Sequence, residues 1–216
     1  MIHCIGDSHC CIFSGKLLFH TWNDSDRIDD DILPEFRTYR IGPTTAYHFD
    51  SKLETVKNII DQFVKEGDTV MPCCGEVDCR AHLLKQVELQ KLPIEIIVQQ
   101  CVSKYFEAIV SLKQYLDAKR INLAVWGPIA SFADHIKYPG PFQGTCRDRN
   151  AVTQLFTIHL KGLCDQNNIP FGSIFNKMIS SGLRTYPNLL AKHIHSSLKT
   201  IPLIYRECKR IGLINK

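Results

Sequence analysis

Apolar residues along this chain fall into two kinds of pattern, and their alternation sets the expected order of elements. Short stretches at residues 1–5, 36–41, 68–74, 121–126 and 169–174 read as strands, the first of them mostly apolar as a buried parallel strand is. Between them apolar positions recur every three or four residues. Leu53, Val56, Ile60, Phe63 and Val64 predict a helix over residues 51–66, with Ser51 and Glu54 placed as a capping box and Gly67 at its end. Ile97, Cys101, Tyr105, Ala108, Leu112 and Leu116 predict a long helix over residues 93–120. Val152, Leu155, Phe156, His159, Leu160 and Leu163 predict another over 147–166, and a last helix ends near residue 211. Residues 12–21 are expected to continue as a helix or a covered loop. Strands alternating with helices predict an α/β fold, a doubly wound parallel sheet of about five strands. With 216 residues and neither a repeat nor a linker, a single domain over 1–216 is expected.

Sheets of this kind present their chemistry at the carboxyl ends of the strands. The first such end here reads Ile5-Gly6-Asp7-Ser8-His9, which places a serine at the start of the next helix, where free N–H groups favour developing negative charge. Glycine, aspartate and serine would serve equally well to make a turn and cap that helix. The second strand ends at Gly42-Pro43. The third runs into Gly75-Glu76-Val77-Asp78-Cys79-Arg80-Ala81-His82, where five groups able to carry a proton or a charge fall within seven residues. Its structural alternative is a helix start in which Glu76 and Asp78 meet the dipole and Arg80 pairs with one of them. A loop rich in turn residues, from Tyr138 to Gly144, could lie over a pocket mouth. Late in the chain His193 and His195 stand two apart, so a turned backbone would let only one face a site. We take His195, which directly precedes two serines able to cap the final helix. His159 is expected to be packed or half-exposed rather than chemical.

Composition removes some classes of function. Charged residues make up 22% and apolar residues 44% of the chain, the balance of an ordinary globular protein. The net charge of +4 is mild and the Lys and Arg are scattered, so nucleic acid is not an expected partner. No run of about 18 apolar residues spans a membrane and no signal-peptide pattern opens the chain, which points to a cytoplasmic protein. Ten cysteines, many in apolar surroundings, suggest buried thiols in a reducing compartment, and without a CxxC spacing a zinc site is not expected. The aspartates at 24, 26 and 29–31 could hold a divalent cation for a nucleotide-sugar, or form a solvated acidic loop. No glycine-rich phosphate loop accompanies them, and no cofactor is expected.

Gly-Asp-Ser at the first strand end, Gly42 after the second, the glycine and acidic cluster of residues 75–80 after the third, and His195 before the last helix follow the order of the SGNH (GDSL-type) hydrolases, which the chain resembles over nearly its full length. The string Gly-Glu-Val-Asp-Cys-Arg is similar to that of a subgroup, usually Gly-Glu-Ile-Asp-Cys-Arg, associated with polysaccharide biosynthesis. The resemblance implies a three-layer α/β/α sandwich of flavodoxin-like, SGNH type. It implies Ser8 as nucleophile and His195 as general base, with the N–H groups of Ser8 and Gly42 binding an oxyanion. Asp7, Glu76 and Asp78 are the carboxylates near this set, and Gly75, Arg80, His9, His82 and His193 are candidate oxyanion or substrate groups. Two positions depart from the superfamily pattern. The asparagine of its third block is Val77 here, and the aspartate three before the base is Lys192. A lysine cannot orient an imidazolium as a carboxylate does, so Glu76 or Asp78 supplies that member, or the site works as a dyad, or it is not a hydrolase.

The resemblance therefore implies a serine-dependent acyl esterase or acyltransferase acting on a carbohydrate or another acylated small molecule, with an O-acetyl group as the expected leaving acyl. Two alternatives remain open at this point: a metal-dependent glycosyltransferase or other glycan-modifying enzyme, and a non-catalytic glycan-binding protein on the same scaffold.

Overall fold

The structure, a computed structural model, describes residues 1–17, 26–27, 31–191 and 194–215, the pair 26–27 by its backbone only. Its strands are β1 (Ile2–Gly6), β2 (Asp26–Arg27), β3 (Phe36–Arg40), β4 (Thr69–Cys73), β5 (Asn122–Leu123), β6 (Val125–Trp126) and β7 (Phe171–Gly172). Its α-helices are α1 (Leu53–Phe63), α2 (Leu83–Gln90), α3 (Ile94–Asp117), α4 (Cys146–Gln166), α5 (Phe175–Met178) and α6 (Ile201–Arg210).

All five expected strands pair in one sheet, ordered β2-β3-β1-β4-β6-β7, with β5 also on β4. The run at 121–126 is split at Ala124 into β5 and β6, and the two-residue β2 adds an antiparallel edge to an otherwise parallel sheet. β1 lies in the middle, parallel to β3 on one side and β4 on the other. Side chains alternate across a strand. Ile5, Tyr39, Val70 and Val125 therefore face the layer of α1, α3 and α4, while Ile2, Cys4, Phe36, Met71 and Trp126 face Phe13, Phe175 and Ile204 on the other side. Two apolar layers on a buried sheet give the α/β/α sandwich.

The stripe expected on the long helix is buried throughout, from Ile97 to Leu116. The capping box expected at Ser51 does not form. The Ser51 hydroxyl instead donates to the His48 carbonyl at 2.7 Å within a short 3₁₀ turn, Phe49–Lys52, and α1 begins at Leu53 and ends at Phe63. A capping box is present on α4, where Thr145 and Asp148 satisfy each other's backbone N–H groups. All ten cysteines are buried free thiols. Among the described residues no helix is long and apolar enough to cross a membrane.

Candidate active site

β1 ends at Gly6, a position that only glycine fits because β4 comes too close for a side chain: a Cβ there would lie 2.1 Å from the Cys73 carbonyl oxygen. The chain then turns. Asp7, buried, caps the 3₁₀ helix Ser8–Ser14 by accepting the His9 N–H at 2.8 Å. That turn leaves Ser8 half-buried at the carboxyl end of a central strand, where its hydroxyl meets a side chain from 187 residues away. His195 Nε2 lies 2.9 Å from Ser8 Oγ. The histidine is held by a loop whose ends are fixed in turn, since the His195 carbonyl accepts the Ala191 N–H at 2.8 Å and Ser196 bridges to Leu190. Ser197 caps a 3₁₀ turn, Leu198–Thr200, that leads into α6.

The third strand end forms one wide turn, Asp78–His82, in which the Leu83 N–H reaches back five residues to the Asp78 carbonyl. Insertions of this kind re-aim side chains and recur at functional sites. Gly75 starts it at φ 117° with the Phe156 ring beneath, where a Cβ would approach to 2.9 Å. Glu76 and Arg80, four apart, face each other: Arg80 Nε donates to both Glu76 oxygens at 2.9 and 3.1 Å. Glu76 also forms an ion pair with His9, Oε2 to Nε2 at 2.8 Å. All three side chains are at most 8% exposed. The loop expected over a pocket mouth packs on this cluster. Arg80 donates to the Pro141 carbonyl, its guanidinium lies 5.0 Å from the Tyr138 ring centre, and its own carbonyl accepts the Gln143 N–H.

Charge at the site follows from these contacts. Burial opposes ionisation of Glu76, but His9 and Arg80 outweigh it and hold the carboxylate at about 2. Burial likewise opposes charge on His9, and Glu76 with Asp7 overcomes it, raising the His9 imidazole above its ordinary value. His195 goes the other way, pushed down to about 3 by burial and by the charge of His9. The Asp7 carboxyl is pushed up to about 6 by burial. A neutral His195 beside a serine hydroxyl can accept its proton; that is the arrangement a serine nucleophile requires.

Ser8, His195, His9, Glu76 and Arg80 thus come together, but two of the residues proposed from sequence serve elsewhere. Asp78 is turned to the segment after β3, accepting the N–H groups of Ala46 at 2.7 Å and Tyr47 at 3.2 Å, with the Cys101 thiol 3.6 Å away. His82 is exposed and lines a separate cavity of about 220 Å³ with Thr45, Tyr47, Gln86 and Gln100 among others; neither Ser8 nor His195 borders it. Gly42 adopts φ 83° just after Ile41, whose N–H bonds to the Gly6 carbonyl, so the second strand end is tied to the first. His159 is half-buried on α4. His193 and Lys192 lie outside the described residues, as do Asp24, Asp29 and Asp30 and the side chain of Asp26. Sequence reasoning missed Arg40, at the end of β3, whose charge reaches both His195 and Cys11. Its signal was register: Arg40 pairs with Gly6, two residues before the serine.

No family profile matches this sequence, and neither does any curated protein. Solved structures do match in shape. A GDSL-like lipase from Bacteroides thetaiotaomicron superimposes with a TM-score of 0.60 at 15% identity, over 97% of this chain and 85% of that one. The acetylxylan esterase Axe2 from Geobacillus stearothermophilus gives 0.53 at 14% identity over 98% and 93%. An extracellular lipase from Streptomyces rimosus gives 0.54 at 10% identity over 95% and 98%. Across nearly its whole length this chain has the α/β fold of the SGNH (GDSL-type) hydrolases.

Proposed function

We propose that this protein is a serine-dependent acyl esterase in which Ser8 attacks an ester carbonyl and His195 takes the serine proton. The observation that carries the reading is the 2.9 Å contact between Ser8 Oγ and His195 Nε2 at the carboxyl end of the central strand. A serine hydroxyl is a poor nucleophile until a base lies within that reach. As the tetrahedral intermediate forms, the N–H groups of Ser8 and Gly42 receive its oxyanion, each such donor contributing about 3 kcal/mol. His195 then returns the proton to the leaving alkoxide, and water repeats the cycle on the acyl-enzyme.

The finer reading is an O-acetyl group on a carbohydrate as substrate, released to water or transferred to a second hydroxyl. It is supported by the similarity of residues 75–80 to the polysaccharide-associated motif and by acetylxylan esterases among the proteins of similar fold. A metal-dependent sugar transfer using Glu76 and Asp78 has less support, because both carboxylates are already engaged, one by His9 and Arg80, the other by two backbone amides.

The test is hydrolysis of p-nitrophenyl acetate and of an acetylated oligosaccharide by wild type, Ser8→Ala and His195→Gln, with and without a chelator. Loss of turnover in both variants with indifference to the chelator is the expected result. Turnover that persists in Ser8→Ala overturns the reading.

A further inference from the structure

Directly after the nucleophile the chain carries a second histidine, and its ring faces the base. The ring centres of His9 and His195 lie 4.7 Å apart with 31° between their planes. On its other side His9 meets Glu76 at 2.8 Å. Two imidazoles this close, with a single carboxylate beside one of them and solvent largely excluded, cannot both carry a proton without strong repulsion. They titrate as a pair.

We propose that His9 and His195 form a one-proton imidazole pair governed by Glu76, in which the resting proton sits on His9 and must leave before His195 can accept the proton of Ser8. The inference rests on the esterase reading above. His9 is a positioning residue in this scheme, because it acts on the base and not on the substrate.

The geometry decides which ring holds the resting proton. Glu76 contacts His9, whereas the His195 nitrogen facing Ser8 is committed to the serine hydroxyl. The other charges around the pair are Asp7 and Arg80, which act on His9, and Arg40 and Arg80, which act on His195. Glu76 favours a proton on either ring and Arg80 opposes one on either, but Glu76 is in contact with His9, Asp7 adds to its pull there, and Arg40 adds to the repulsion at His195. Nε2 of His9 faces Glu76 as an ion pair without hydrogen-bond alignment, and among the described residues the second nitrogen, Nδ1, is buried with no hydrogen-bond partner at all. The doubly protonated ring therefore carries an unsatisfied N–H, a cost that works against the proton Glu76 holds there.

Once it has left to solvent, Glu76 no longer faces a compensating charge on His9 and keeps only its pair with Arg80. When Ser8 Oγ bonds to the acyl carbon, its proton passes to His195 Nε2, and the imidazolium so formed is stabilised by Glu76 across the neutral His9 ring. That is the task an adjacent carboxylate performs for a general base, done here at one remove. It fits a chain in which position 192 is a lysine.

The experiment is a pH titration of the histidine ring signals by NMR in wild type and His9→Gln, assigned with His195→Gln, alongside the pH profile of kcat/KM. In wild type His9 is expected to titrate above 6.5, the ordinary histidine value, and His195 far below it. In His9→Gln the His195 midpoint should rise by about one unit or more, while the acid limb of kcat/KM, no longer set by His9, moves down to that new His195 midpoint. An unchanged His195 midpoint, or His9 titrating below 6.5 in wild type, overturns the proposal. If His9→Gln does not fold, the two wild-type midpoints decide. A coupled titration without any Ser8-dependent turnover would leave the pair standing and defeat the esterase reading; turnover with independent titrations would do the reverse.

Discussion

Arg80 donates from Nε to both carboxylate oxygens of Glu76, and the pair is buried with His9 as the third member. A buried ion pair stabilises less than its contacts suggest, because both charges have left water. Removing one partner is a different matter. Arg80→Ala leaves the Glu76 carboxylate with His9 alone and also frees the Pro141 carbonyl and the face of Tyr138. The expected cost is about 3–5 kcal/mol in urea unfolding. Arg80→Lys should recover only part of it, since an ammonium cannot reproduce the planar donor set. Equal stability of Arg80→Lys and wild type would mean that only the charge matters here.

A second consequence concerns acid. The unfolded chain protonates His195 near 6.5, whereas the folded one resists down to about 3. Between those values the unfolded state binds the extra proton, so stability is lost as pH falls through that window. Asp7 has the opposite sign. Its carboxyl is raised from 3.8 to about 6, so the folded state takes a proton first and gains stability as pH falls across that interval. Urea unfolding at about pH 7 and about pH 4 should therefore show His195→Gln losing less stability than wild type and Asp7→Asn losing more. Identical losses in all three would show that neither group is perturbed.

The parts of this architecture that were legible in the sequence are those where one local rule decides. Ile97 to Leu116 repeat at helical spacing and pack as that spacing requires. Gly6, Asp7 and Ser8 mark a strand end, and the structure puts them at one. Ser51 looked like a cap, but it lies inside a 3₁₀ turn that begins at the buried Phe49, and its hydroxyl bonds back to His48. Asp78 could not be assigned because its partners, Ala46 and Tyr47, are about 30 residues away in sequence, and nothing local announces a carboxylate reserved for backbone amides. The same holds for His9: its neighbours Glu76 and His195 come from two other loops, brought together only when the strands align.

Three glycines should rank by what their added Cβ would meet. Gly6→Ala puts the methyl 2.1 Å from the backbone oxygen of Cys73, which cannot give way without separating β1 from β4, so this variant should fail to fold. Gly75→Ala combines φ 117° with a 2.9 Å approach to the Phe156 ring, a loss of about 2–4 kcal/mol. Gly67→Ala carries only the strain of φ 84° in open space, about 1 kcal/mol. Soluble yield and thermal unfolding of the three variants check the order. A folded Gly6→Ala would show that β1 and β4 are less tightly apposed than described.

Asp78 connects the third strand end to the second without touching the reacting atoms. Its two oxygens hold the N–H groups of Ala46 and Tyr47, and that segment continues directly from Gly42, the second oxyanion donor in the proposed reaction. Asp78→Ala leaves both amides without their acceptor and loosens the segment, while the Ser8–His195 contact, built from other elements, stays in place. The expected result is a fall in kcat of about 10–100-fold, a fraction of what a lost oxyanion donor costs, with little change in KM. Asp78→Asn, which keeps one acceptor oxygen, should fall between Asp78→Ala and wild type. A wild-type kcat in Asp78→Ala would mean that the Gly42 amide takes no part in stabilising the intermediate, and the donor paired with the Ser8 N–H would then have to come from the Arg80 side of the site.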